Sequence, residues 1–265
     1  MGVEGERMSL MTWSYLLIGC DIVDQVKDVA DAVNGLTNPL VAQGIVLSVQ
    51  DPGDPTVQTA LSAAGTEIGT SATIFLADAA SAADLANAPV LGATVVLDGT
   101  SAIDNGDGSY LIAPSVGLTY AVGESWTTTI IPTPDAGESL ATVTLPEAAV
   151  IEWPETIVTG EAWSFSLEDQ GFDGVVLVVL DIDGAPTYSN EPKSVGDLYN
   201  ATASGEPLTV VEIPASAFPA DGVYIIGVAG LVGTTAADLF EVNTALSNVS
   251  AGQMLFRAVT ALPGS

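Results

Sequence analysis

The sequence predicts an all-β protein of two β-sandwich domains in tandem, and three observations carry that expectation. Hydrophobic residues make up 48% of the chain, mostly Val, Ala, Leu and Ile, while aromatics are only 6%. The 27 Gly and 15 Pro interrupt the chain every few residues, as short strands joined by turns require. Apolar runs of strand length recur between those interruptions, and 265 residues accommodate two domains of about 100–130 residues each.

The order of elements begins with Leu10 to Ile18, an apolar stretch of signal-peptide length and too short to span a bilayer. Beyond it, Ile22, Val26, Val29 and Val33 recur at spacings of four, three and four, which predicts a short amphipathic helix closed by Gly35 and Pro39, either a tether or a helix packed against the first domain. The period then changes. Ile45 to Val49 and Ala72 to Leu76 read as strands, with the loop Asp51-Pro52-Gly53-Asp54-Pro55 between them. The Ala-rich segment from Asp78 to Pro89 reads as a long loop or a brief helix.

Leu91 to Leu97 followed by Asp104-Asn105-Gly106-Asp107-Gly108 and a strand from Tyr110 predicts a β-hairpin. Thr127 to Ile131 and Leu140 to Leu145 close the first sandwich, and Pro146-Glu147 starts a linker. The second module opens at Ala149 to Pro154 and continues with the alternating strand Ala162 to Leu167. Gly174 to Asp181 is apolar almost throughout, as a strand covered on both faces is. Leu208 to Ile213, Gly222 to Ala229 and Gln253 to Val259 supply further strands, for a second sandwich of six or seven.

Charge and missing residue types exclude whole classes of chemistry. Arg7, Lys27, Lys193 and Arg257 are the only cations against 33 acidic residues, a formal net charge of −29. Such a surface repels phosphate backbones and anionic head groups, so no nucleic-acid partner is expected. It suits a self-repelling extracellular surface, adaptation to high salt, or a store of carboxylates for divalent cations. Without His there is no Ser-His-Asp or Cys-His system, no imidazole base and no His-ligated zinc; with one Cys there is no intrachain disulfide or thiolate cluster.

Carboxylates alone could act as a glycosidase pair only if two faced each other at roughly 5–9.5 Å. The acids here are dispersed on turns, and Trp126, Trp153 and Trp163 lie in strand contexts where packing is the common use. The expectation is that the protein is not an enzyme. Asp104, Asn105 and Asp107 are the candidate cation ligands, since three oxygen-bearing side chains fall within four residues and Gly106 and Gly108 permit a tight turn. The spacing departs from the EF-hand pattern, no Glu follows at its twelfth position, and Asn-Gly and Asp-Gly serve turns without any metal. No cofactor is expected unless that turn takes calcium. Asn200-Ala201-Thr202 and Asn248-Val249-Ser250 match the N-glycosylation triplet, which is frequent by chance.

Three short motifs carry resemblances. Leu17-Ile18-Gly19-Cys20 after the apolar run resembles the lipobox of bacterial lipoproteins. That resemblance implies a signal peptide over 1–19 and an acylated Cys20 at the mature N-terminus, so that residues 20–40 would be the lipidated Cys followed by the helix read from the spacing as its tether. Glu4 and Glu6 beside Arg7 depart from the positive leader of that family, and Met8 is an alternative start. Asp21 resembles the inner-membrane retention signal of some enteric bacteria.

Gly92-Ala93-Thr94-Val95 with Asp107-Gly108-Ser109-Tyr110 resembles the strand and corner of carboxypeptidase-regulatory-like and other Ig-like modules of bacterial surface proteins. This makes the expected architecture two Ig-like β-sandwich domains, over 41–147 and 148–265. Asp221-Gly222-Val223-Tyr224 repeats the element, and both tyrosines resemble the corner tyrosine of Ig-like folds. Together the resemblances imply a non-enzymatic, extracytoplasmic lipoprotein of the bacterial envelope, bound to the membrane through lipid. Its role would be structural or the binding of an envelope protein or a polysaccharide. The alternative is a calcium-dependent adhesion or matrix module.

Overall fold

Strands dominate because β-branched residues alternate with small or polar ones along most of the chain. The computed structural model describes residues 38–202 and 208–264; the apolar run 10–18, Cys20 and the helix expected after it lie outside the described residues. The first half supplies β1 (Leu40–Val49), β2 (Gly69–Asp78), β3 (Thr94–Leu97), β4 (Thr100–Ser101), β5 (Ile103–Asp104), β6 (Ser109–Ile112), β7 (Ser125–Ile131) and β8 (Ser139–Thr144). The second half supplies β9 (Thr156–Val158), β10 (Trp163–Ser166), β11 (Gly174–Asp181), β12 (Pro186–Ser189), β13 (Val210–Ile213), β14 (Gly222–Val232), β15 (Leu239–Phe240) and β16 (Asn248–Leu262). Helices α1 (Pro55–Ala64) and α2 (Val195–Thr202) interrupt them.

The strands form a large sheet in the order β12-β11-β14-β16-β1-β2-β6-β5, with β9 also paired to β16. Two smaller sheets cover one of its faces: β15-β8-β7-β3-β4 near one end and β10-β13 near the other. The first core gathers Val46, Ile74, Tyr110 and Ile112 from the large sheet with Val95, Leu97, Trp126 and Ile130 from the five-stranded one. The second gathers Leu177, Val179, Ile226 and Val228 with Phe165, Val211, Ile213 and Phe218. The architecture is therefore all-β and sandwich-like.

The boundary expected at residue 147 separates most of the two cores but not the hydrogen bonding. β16 runs parallel to β1 from Gln43↔Asn248 to Val49↔Met254 and antiparallel to β14 from Gly222↔Ala261 to Val232↔Ala251. β15 likewise joins β8, and Val242, Val249 and Ala251 lie in the first core. One long strand thus belongs to both sandwiches. The linker is pinned as well: the Pro146 carbonyl accepts from Tyr120 Oη at 3.0 Å and from Gln253 Nε2 at 3.1 Å.

The hairpin expected between Leu91–Leu97 and the strand at Tyr110 does not form. β3 belongs to the five-stranded sheet and β6 to the large one. Local turn chemistry explains the difference. Asp98 and Gly99 both take positive φ, 44° and 77°, and fold β3 onto β4, while the acidic turn folds β5 onto β6. The chain changes sheets between these two small hairpins.

The opposite face of the large sheet is covered in part by the helices. Val57, Ala60 and Leu61 of α1 pack on Leu180 and Ile225, and Leu198 of α2 packs with Ile45, Val176 and Met254. Asp54 caps α1 by accepting from Thr56 N at 2.7 Å, Pro55 opens it, and Gly65 closes it at φ 74°. Of the long loop or brief helix expected from Asp78 to Pro89, the chain forms a brief helix, a 3₁₀ turn over Ala82–Asn87. β11 sends Leu177 and Val179 into the second core and Val176 and Leu180 to the helical face.

Candidate functional site

The acidic turn between β5 and β6 is exposed at Asp104, Asn105 and Asp107, and both carboxylates accept from the chain itself. Asp104 Oδ1 accepts from Gly106 N at 2.7 Å and Oδ2 from Gly92 N at 2.8 Å, tying the turn to the start of the preceding strand region. Asp107 Oδ1 accepts from Ser109 N at 2.9 Å and Ser109 Oγ at 2.6 Å. These bonds favour the charged form and lower the Asp107 pKa. Asn105 Nδ2 donates to Ser109 Oγ at 3.0 Å. Among the described residues no three acidic or thiol side chains converge as metal ligands would.

Gly108, at φ 90°, is where the turn meets the core. A Cβ there would lie 2.6 Å from Pro89 Cβ and 3.1 Å from the Leu76 carbonyl oxygen, and the Gly108 carbonyl accepts from Leu76 N at 2.8 Å. Next to it, Tyr110 is fully buried; its hydroxyl donates to the Val90 carbonyl at 2.9 Å and accepts from Ala93 N at 3.0 Å. Tyr224 serves its own corner, donating to the Ala220 carbonyl at 2.8 Å and accepting from Ala220 N at 3.2 Å. The Tyr224 bond, four residues upstream, matches the corner geometry of Ig-like folds; the Tyr110 bonds reach back 17 and 20 residues.

The aromatic candidates serve packing. Trp126 is buried in the first core with Tyr120 edge-on at 6.2 Å, and its Nε1 has no acceptor among the described residues. Trp153, Trp163 and Phe165 line up at centroid separations of 5.8 and 5.0 Å and close the second core. Of the two glycosylation triplets, Asn248 is engaged structurally: its Oδ1 accepts from Thr234 N at 2.9 Å and its Nδ2 donates to Ser250 Oγ at 3.2 Å, with Ser250 fully buried.

A groove that the sequence did not flag opens at one end of the first sandwich. It holds about 810 Å³ and is walled by Leu40, Val90, Leu91, Pro132, Ser139 and Phe240. Leu91 and Phe240 are 55% and 57% exposed, and Asp78, Glu138 and Glu241 add acidic groups. Glu241 takes a left-handed φ of 53°, held by Ser139 Oγ donating to its carbonyl at 2.9 Å. The volume falls in the range of small-ligand pockets, about 300–1,000 Å³. Its elements are distant in sequence, which is why no local motif marked it.

Cys20 lies outside the described residues. Among the described residues no helix is long and apolar enough to cross a membrane.

No protein family and no curated protein matches the sequence. Among solved structures, the central fibronectin-III array of RIM-binding protein is 10% identical over 75% of this chain, with a TM-score of 0.22; this chain spans 66% of its length, just under two thirds. The fibronectin(III)-like modules of Clostridium thermocellum CbhA are 11% identical over 70% of this chain and 85% of theirs, with a TM-score of 0.18. The architecture described above rests on this chain's own strand pairing.

Proposed function

We propose that the protein is a non-catalytic lipoprotein of the bacterial cell envelope, held at an extracytoplasmic membrane surface through acylated Cys20, with a structural role or one in binding an envelope protein or a polysaccharide. The observation that carries this reading is the position of the chain's one thiol. Cys20 ends Leu17-Ile18-Gly19-Cys20 directly after an apolar run, and 17 residues separate it from the first described residue, Asn38. A thioether-linked diacylglycerol needs a thiol at that place, and each buried methylene contributes about 0.8 kcal/mol to membrane attachment.

The acids support the same reading. Asp104 and Asp107 are engaged with backbone amides of their own turn and of Gly92, which favours reading the negative charge as a solvated, self-repelling coat. The test is intact mass and N-terminal peptide analysis of protein expressed in a bacterium, beside Cys20→Ala. The expected result is a mature chain that begins at an acylated Cys20, and a variant that is unprocessed or released from membranes. Retention of residues 1–19 with a free thiol at Cys20 would overturn the proposal.

A further inference from the structure

We infer that the apolar groove at the end of the first sandwich is the docking site of the chain's own segment Ile22 to Val33. This goes beyond the envelope reading and does not depend on acylation. Three observations point to that occupant. The described chain enters the fold at the groove: Asn38, Pro39 and Leu40 are in its wall, with the Pro39 carbonyl accepting from Ala79 N at 2.9 Å and the Leu40 carbonyl from Asn243 N at 2.8 Å. Leu91 and Phe240 stand more than half exposed in the wall, an apolar cost that a covering segment would remove. The segment arriving there carries Ile22, Val26, Val29 and Val33 at the spacing of one helical face.

Reach and charge agree. Val33 is five residues from Asn38, a span of at most about 3.6 Å per residue, so its possible positions cluster around the groove. A tether of that length gives an effective concentration in the millimolar range, so a weak intrinsic affinity is sufficient. On the same helical spacing Asp24, Asp28 and Asp31 fall opposite the apolar set, away from Glu138 and Glu241 at the groove. Residues 22–33 lie outside the described residues.

The test uses the full chain in a Cys20→Ser background, so that its outcome is separate from that of the lipid anchor. Val29→Cys is combined with Phe240→Cys, and Asp28→Cys with Phe240→Cys as the opposite-face control. Disulfide formation under mild oxidation is followed by mass and by gel. The expected result is an intramolecular disulfide that forms several-fold faster for the Val29→Cys pair, slowed several-fold by adding Leu91→Asp at an unchanged melting temperature. Equal rates for the two pairs would overturn the inference. So would a disulfide-linked dimer, which would give the groove to a second copy of the chain.

Discussion

The two ends of the large sheet bury their apolar faces by different means. The first is roofed by a five-stranded sheet with regular register, from Thr94↔Ile131 through Ser125↔Thr144. The second is roofed by two short strands, β10 and β13, and much of its cover is aromatic: Trp163 and Phe165 on β10 itself, with Trp153, Phe172 and Phe218 beside them. A ladder satisfies the backbone and leaves side chains to fill gaps. Where the ladder is short, large rings supply the buried area instead, and loss of a single ring is felt more there.

The largest effect is therefore expected at Phe218, fully buried and edge-on to Tyr224 at 5.4 Å and 87°. Phe218→Ala should cost about 3–5 kcal/mol. Because β16 belongs to both sandwiches, calorimetry should show the whole molecule melting in one transition at lower temperature. A second, unshifted transition would show that the two ends fold independently despite the shared strand.

Gly252 probes that shared strand directly. A Cβ there would press on the Gly230 carbonyl oxygen of β14 and lie 2.8 Å from Leu231 Cδ2, and backbone cannot rotate away as a flexible side chain could. Gly252→Ala should cost about 1–3 kcal/mol. Urea melts should register that loss equally by Trp126 fluorescence at one end and Trp163 fluorescence at the other, in single-Trp backgrounds. An effect confined to one reporter would break the coupling argued from β16.

How much of this was legible in the sequence follows the range of each interaction. Strands at 45–49, 127–131, 174–181 and 222–229 were legible because their apolar pattern is local. Helix α1 was also written locally, as Asp54-Pro55 at its start and Gly65 at its end, but the Asp-Pro-Gly-Asp-Pro run reads first as a loop and conceals the cap. The sheet change between β3 and β6 was not legible, because a hairpin and a crossover share the same turn residues. The parallel pairing of β1 with β16 joins residues about 205 apart, and no periodicity encodes a partner at that distance. The acidic turn was found and its role as a turn follows from its bonds, whereas the groove, assembled from the ends of β1, β2, β8 and β15 and the loops beside them, had no sequence signature.

The paired tyrosines offer a smaller test of the same contrast. Tyr110→Phe leaves the Val90 carbonyl and the Ala93 N–H without their partner and frees a loop 17 to 20 residues upstream. Tyr224→Phe frees only Ala220, four residues away. Each hydroxyl should contribute about 1 kcal/mol, with Tyr110 the larger. Equal losses in chemical denaturation would mean that the long reach of Tyr110 adds nothing.

Asp173 sets the second end apart by charge. Burial raises its pKa above the ordinary 3.8, against the lowering effect of the Gly233 N–H that donates to Oδ2 at 3.1 Å; Oδ1 has no partner among the described residues. A carboxyl whose pKa is higher folded than unfolded destabilises the fold when ionised. That penalty fades as pH falls through the folded pKa and is gone below the unfolded one. Asp173→Asn should therefore melt higher than the parent at pH 7, with the difference closing as pH is lowered toward 3.8. A pH-independent difference would assign the effect to packing.

The smallest effect is expected at the acidic turn. If Asp104 and Asp107 serve the backbone, Asp104→Ala removes bonds to Gly92 and Gly106 on an exposed loop and lowers the melting temperature slightly, in calcium or in chelator alike. A calcium site of useful affinity would instead stabilise the folded state by RT ln(1 + [L]/Kd), about 2.7 kcal/mol at a hundredfold excess over Kd. The comparison is a melt of the parent and of Asp104→Ala in millimolar calcium and in chelator. Superimposable parent curves leave the turn as a structural corner. A calcium-dependent rise that Asp104→Ala abolishes would move this end of the molecule into the adhesion class, with the carboxylates exchanging amide donors for a metal.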